Sequence, residues 1–317
     1  MLQTIIDWNP SPELFKLGGF SVRYYGLMFV IAFMLGIQLM KRIYKEEGLP
    51  VEYVDSLFMY TVIATLVGAR LGEVFFYSWD SYKDNLIEII LPIAENPDKS
   101  MFFGLIKGYE FVGFAGLASH GAAIGIITAM ILYRRKYKYK STLWILDRVV
   151  ITVASGAVFI RLGNLMNSEI VGKVTNGNFG FRFIRNDISK YQAMNITGTN
   201  DPEKAYKLIE TSAKYKDILE GVPVRYPTQL IESFGYLCVF VVLYYIYWKT
   251  NKRNKTGYLF GVFMVMLWSL RFIIEFFKEA QVDARGEWVL NTGQWLSIPL
   301  ILVGFYFIFR KNYKPVA

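Results

Sequence analysis

The 317 residues include one cysteine, Cys238, and one histidine, His120. A single cysteine excludes an internal disulfide framework and a multi-cysteine metal site. A single histidine excludes the paired-histidine metal motif. There is no Gly-x-x-x-x-Gly-Lys phosphate loop and no acidic metal cage. Nucleotide and metal chemistry are therefore disfavoured, and we expect no cofactor, no metal and no nucleic-acid partner. Heptads, proline-rich linkers and low-complexity tracts are also missing. The first apolar run follows a segment with Asp7 and Glu13 and no basic region, so no cleavable signal peptide is expected.

What is abundant is apolar surface. The chain is 54% hydrophobic and 17% aromatic, with a mean hydropathy of +0.30. That composition points to a polytopic membrane protein. Seven stretches are long enough to span ~30 Å of hydrocarbon at ~1.5 Å per residue; they fall at 20–43, 53–78, 117–134, 143–166, 228–248, 257–278 and 292–310. The net charge of +9 matters less than its placement. Basic clusters follow the first, third, fifth and seventh stretches, at 41–45, 134–140, 249–255 and 310–314. The positive-inside rule then predicts an outer N-terminus and a cytoplasmic C-terminus. The expected fold is an all-α integral membrane protein with seven transmembrane helices and a small extracytoplasmic head domain. Residues 1–166 would hold four spans, an outer N-terminal segment and an interfacial arm at 79–116, read as a helix followed by an irregular segment. Residues 167–227 would form the head, with a strand at "FGFRFI" and one helix over "DPEKAYKLIETSAKYKDIL". Residues 228–317 would hold the last three spans.

Charges inside spans are costly and usually functional. Arg70, Glu73, His120, Arg161, Glu232, Arg271 and Glu275 lie inside or at the ends of spans, and the topology puts all of them in the outer half. Arg271 and Glu275 are four apart and share a helix face, which Lys278 continues. They form either a structural ion pair or an oriented guanidinium for an anion. Arg161 either snorkels to the interface or lines an outer polar cavity. Arg70 with Glu73 reads more simply as a structural pair. Gly121 and Gly125 beside His120 suit close helix packing, and Cys238 is expected in the core. Arginine's planar fork matches phosphate, and a lipid phosphodiester is the nearest phosphate at that depth. A receptor with the same topology, or a lipid or anion transporter with an outer-leaflet phosphate site, remains open at this point.

The blocks "RYYGLMFVIAFMLG" (23–36), "GARLGEVFFY" (68–77), "SHGAAIG" (119–125), "RLGNLMNSEIVGKVT" (161–175), "YPTQLIES" (226–233), "LRFIIEFF" (270–277) and "TGQWLSIPLILVG" (292–304) run through the chain in order. Together they resemble the bacterial phosphatidylglycerol–prolipoprotein diacylglyceryl transferases. The resemblance implies a seven-span inner-membrane enzyme without metal. Such an enzyme moves diacylglyceryl from phosphatidylglycerol to the thiol of a prolipoprotein lipobox cysteine and releases glycerol 1-phosphate. It also implies site positions: His120, Arg161 and Arg271 as catalytic residues, with Tyr25, Asn164, Glu169, Glu275 and Arg161 binding substrate. On that reading Glu169 and Glu275 orient the arginines, His120 is the candidate base, and the head meets the prolipoprotein. Departures from the family pattern fall at Ala122, Ile160, Thr228, Ile231 and Leu267.

Overall fold

The computed structural model describes residues 4–17, 20–76, 78–83, 85–91, 93–101, 106–111, 119–177, 179–279 and 290–311. In chain order the strands and helices are β1 (Thr4–Trp8), β2 (Glu13–Leu17), β3 (Phe20–Arg23), α1 (Tyr24–Glu46), α2 (Glu52–Phe76), α3 (Trp79–Tyr82), α4 (Ile87–Ile90), β4 (Ile93–Met101), β5 (Ile106–Phe111), α5 (Ser119–Lys136), α6 (Thr142–Met166), β6 (Phe179–Phe183), α7 (Ile184–Asp187), α8 (Lys190–Thr197), α9 (Pro202–Thr211), α10 (Lys216–Gly221), β7 (Val224–Arg225), α11 (Thr228–Lys249), α12 (Tyr258–Ile274) and α13 (Thr292–Phe309). Each of the seven apolar stretches contains one of the long helices, although 20–23 of the first stretch is strand β3 and α12 stops at Ile274. Four of these helices, α1, α2, α6 and α11, are long and apolar enough to cross a membrane, and α12 and α13 are shorter apolar helices. The protein is a mostly helical membrane protein. It is not purely α: three small sheets accompany the helices.

The chain divides into two compact units, Met1–Met40 with Asp147–Ala317, and Lys41–Leu146. In the second unit α2 and α5 cross at glycines. A Cβ on Gly121 would overlap the Gly68 carbonyl and lie 2.6 Å from Gly72 Cα, and one on Gly68 would lie 3.0 Å from Gly125 Cα. Small residues four apart on both helices therefore let the backbones touch, as expected for Gly121 and Gly125. Arg70 is buried, but its partner is not Glu73. Its Nη2 donates to Glu88 O at 2.7 Å and its Nε to Ile89 O at 3.2 Å, while Glu73 accepts from Ser78. Arg70 thus satisfies carbonyls of the single-turn helix α4, groups that a helix end leaves open. The arm at 79–116 differs from expectation. Two one-turn helices are followed by an antiparallel strand pair, β4–β5, with a register shift between Glu95 and Ser100. Cross-strand pairing, not local pattern, decides these strands.

In the first unit, β1 pairs in parallel with β6, from Thr4↔Phe179 to Trp8↔Phe183, and β6 pairs antiparallel with β7. The segment between β6 and β7 folds as α7–α10 around a small core of its own, with Ile184, Ala205, Tyr206 and Ile209 at or near zero exposure. The single helix expected there is broken. α9 ends at Ser212, whose backbone is extended, and α10 starts after a 3-10 turn at Ala213–Tyr215. α8 begins in a capping box, Ser189 with Gln192, which satisfies open N–H groups of its first turn. Helices α12 and α13 cross where a Cβ on Gly261 would meet Gly304 O at 2.8 Å. Asp147 on α6 caps α12: its carboxylate accepts from Gly257 N at 2.5 Å and Phe260 N at 2.8 Å. Cys238 corrects the core expectation. It is exposed, on an α11 face with Phe234 and Val241, because an apolar residue on a membrane helix has two apolar environments open to it, core and lipid.

Candidate active site

α11 explains how a polar cluster is held inside an apolar helix bundle. Its buried face is polar at the start, with Gln229, Glu232, Ser233 and Tyr236, and apolar further on, with Val239 and Leu243. Ser233 ties it to α6 by donating to Val158 O at 3.1 Å. One turn later on α6, Arg161 Nε lies 2.6 Å from Glu232 Oε2, with the side chains 13% and 2% exposed. Burying this pair costs desolvation that only close contact and further hydrogen bonds offset. Those bonds are present. Arg161 Nη1 donates to Asn164 Oδ1 at 3.0 Å, and Asn164 Nδ2 donates to Glu169 Oε1 at 2.8 Å. The Arg161 guanidinium also lies 5.9 Å from the centroid of the Tyr236 ring.

Asn164 is buried, and Tyr25 of α1 packs against its neighbour Gly163, within electrostatic reach of Arg161 and Glu169. Gly163 makes room for this: a Cβ there would sit 2.7 Å from Tyr25 Cδ2. The turn after α6 carries Glu169 between two residues in the left-handed region, Ser168 (φ 54°) and Ile170 (φ 60°). That conformation is strained for a β-branched isoleucine and persists only where the surroundings enforce it. Gln229 and Thr228 enforce it from α11, donating to Glu169 O at 2.8 Å and Ile170 O at 3.0 Å. Trp8 of β1 adds a bond from Nε1 to Leu165 O at 2.9 Å.

Arg271 and Glu275 end α12. Their side chains do not pair with one another; the guanidinium lies 5.5 Å from the Trp268 ring centroid. Glu275 lies beside the first turn of α13, where a Cβ on Gly293 would come within 3.0 Å of Glu275 Oε1. A carboxylate there meets the positive end of the helix dipole. Arg271 lies within electrostatic reach of Tyr236, as do Arg161 and Glu232. His120 is the second residue of α5, in the other unit; its side chain lies outside the described residues.

A family model described as prolipoprotein diacylglyceryl transferase matches residues 12–310. The chain is 35% identical over 309 residues to the phosphatidylglycerol–prolipoprotein diacylglyceryl transferase of Bacteroides fragilis, covering 98% of this chain and 96% of that one. It is 36% identical over 300 residues to that of Tolumonas auensis, with 95% of each chain covered. It is 35% identical over 326 residues to that of Porphyromonas gingivalis, covering 100% and 98%. The chain belongs to the prolipoprotein diacylglyceryl transferase family.

Within that family reading, the fold rearranges the partners assigned from sequence. Glu169 reaches Arg161 only through Asn164, and the carboxylate that grips Arg161 directly is Glu232. Sequence reasoning had Glu232 as a buried charge but gave it no partner. The signal was its position one helical turn after Gln229 on a face that stays polar. Ile231, one of the departures from the family pattern, is 43% exposed and points away from the cluster.

Proposed function

We propose that this protein transfers diacylglyceryl from phosphatidylglycerol to the thiol of a prolipoprotein lipobox cysteine. The observation that carries the reading is the largely buried network of Arg161, Asn164 and Glu232 between α6 and α11, with Tyr236 beside it and Arg271 of α12 in electrostatic reach of that tyrosine, in a chain of this family. The reaction displaces a phosphate ester from an sp³ glycerol carbon. A sulfur–carbon bond forms, the carbon–oxygen bond breaks, and the electron pair leaves on the phosphate as glycerol 1-phosphate. Charge on that phosphate rises from one to two. Preorganised guanidinium groups in a dry site are suited to stabilise it. Arg161 retains N–H groups after serving Glu232 and Asn164, because a guanidinium has five donors. Its rigid placement by Glu232 is what removes reorganisation from the step.

The attacking thiol needs a base or a positive field to become a thiolate. His120 is the proposed acceptor of its proton. Tyr25, Asn164, Glu169 and Glu275 are proposed to hold the lipid headgroup and to shape its surroundings. The substrate supplies the sulfur, so Cys238 has no part. In the proposed topology seven helices cross the bacterial inner membrane, the N-terminus and the 167–227 head lie outside, and the C-terminus is cytoplasmic. The head is proposed to meet the prolipoprotein.

The test is to incubate purified protein with phosphatidylglycerol vesicles and a lipobox peptide. The expected product carries a thioether-linked diacylglyceryl group by mass, with release of one glycerol 1-phosphate. A peptide modified only when the lipid headgroup is absent, or not modified at all by folded protein, would refute the reading.

A further inference from the structure

Lys278 was noted in the sequence only as the continuation of the Arg271–Glu275 stripe. The fold places it by a different device. α12 ends at Ile274, the chain turns through 275–277, and residues 277–279 then pair with the segment that follows Glu169. Lys173 N donates to Phe277 O at 2.8 Å and Glu279 N to Val171 O at 3.3 Å, with Gly172 and Lys278 as bridge partners. On its other side the same 171–175 segment pairs with 224–226, through Gly172 N to Tyr226 O at 3.1 Å and Thr175 N to Val224 O at 2.8 Å. Phe277 and Glu279 face outward, 44% and 52% exposed, and Glu279 pairs with Arg225 at 3.1 Å. Lys278 faces inward and is 6% exposed.

A lysine buried to that degree normally has a carboxylate partner. Lys278 has neither an ion pair nor a hydrogen bond among the described residues. It lies within electrostatic reach of Glu232 and Glu275 and of both Arg161 and Arg271. The charges of the cluster decide what this means. Arg161 and Arg271 stand against three carboxylates, Glu169, Glu232 and Glu275. Without Lys278 the cluster carries one net negative charge and repels a phosphodiester. With it the cluster is neutral, and Lys278 adds a cation all of whose donors are unused.

We propose that Lys278 is a further phosphate-binding residue of this site, the ammonium that meets the lipid phosphodiester and the second negative charge of the departing glycerol phosphate. The proposal rests on the transferase reading. Before the step, thiolate and phosphodiester each carry one negative charge; afterwards the thioether is neutral and the phosphate monoester carries two. An ammonium in electrostatic reach of Arg161, Arg271, Glu232 and Glu275 would offset that second charge, and the three N–H donors of Lys278 are uncommitted.

The test uses the full-length protein with Lys278→Met, Lys278→Gln and Lys278→Arg. For a purely structural lysine, removal lowers stability. Here, removing an unpaired buried charge should leave the thermal midpoint unchanged or raised, while kcat falls about a hundredfold, the scale of losing one transition-state donor. Inhibition by added glycerol 1-phosphate should weaken at least tenfold in the Met and Gln variants. Lys278→Arg should restore most of both. Met and Gln variants with kcat and glycerol 1-phosphate inhibition within threefold of wild type overturn the proposal, as does a loss of activity that tracks a lower thermal midpoint. A separate measurement keeps the two readings apart: glycerol 1-phosphate, but not glycerol, should raise the thermal midpoint of wild type and not of Lys278→Gln. If that holds while wild type transfers no lipid, the phosphate site stands and the transferase reading fails. If the shift is equal in both proteins, Lys278 does not bind the phosphate.

Discussion

Glu232 is the residue whose role depends most on its neighbours. Its carboxylate is 2% exposed and touches Arg161 at 2.6 Å. Replacing it by glutamine keeps the shape and leaves a buried guanidinium without its counter-charge. Loss of one partner of such a pair costs about 3 kcal/mol, so Glu232→Gln should lower the thermal midpoint and abolish most transfer. Glu232→Gln with Arg161→Met removes both charges and should recover stability without recovering activity. Full stability in the single variant, measured by thermal unfolding in detergent, would show that Arg161 does not depend on Glu232. Arg271 behaves differently. Because it does not pair with Glu275, Glu275→Leu should fail to rescue Arg271→Met, in stability or in transfer.

At the scale of elements, the bundle is held by close backbone approach as much as by side-chain packing. The Gly68–Gly72 and Gly121–Gly125 crossing leaves no space for a side chain. Gly121→Leu inserts four carbons where even a Cβ overlaps a carbonyl, and overpacking of this kind costs about 1–3 kcal/mol or more. The variant should unfold at lower temperature. Its loss of transfer should exceed that of Ala122→Gly in the same helix, measured by initial rates at one lipid concentration. A Gly121→Leu protein with wild-type stability would mean that α2 and α5 do not meet at these glycines. The Asp147 cap on α12 and the Asn291–Gln294 capping box on α13 serve the same end with hydrogen bonds. Each satisfies N–H groups that a helix start leaves open, and these cannot be left bare in a medium without water.

At the scale of the whole molecule, the four basic clusters make a directional claim. Single cysteines placed in 134–140 or 249–255 of a Cys238→Ala protein should resist an impermeant thiol reagent in intact spheroplasts, whereas those in 184–222 should react. Cys238 itself can be removed freely, since it lies on an outward α11 face among apolar neighbours. Labelling of 134–140 before lysis would invert the proposed topology. Much of the helical architecture was legible because hydropathy in a membrane chain is a local property: a run of apolar residues needs no distant partner to become a helix, and each of the seven expected stretches contains a long helix. The presence of arginines within several of these helices was legible for the same reason, since each lies inside a single apolar run. The pairings of β4 with β5 and of β1 with β6 were not, because each strand finds its partner outside its own local pattern. The partner of Arg161 was decided the same way. Sequence spacing offered Glu169, eight residues on, and the fold supplied Glu232 from another helix. The chain by itself determined where its helices lie and which charges they carry inward. Only the tertiary structure decided which charge meets which, because at a few ångströms in a dry interior a pair is set by the distance between atoms and not by the distance along the chain.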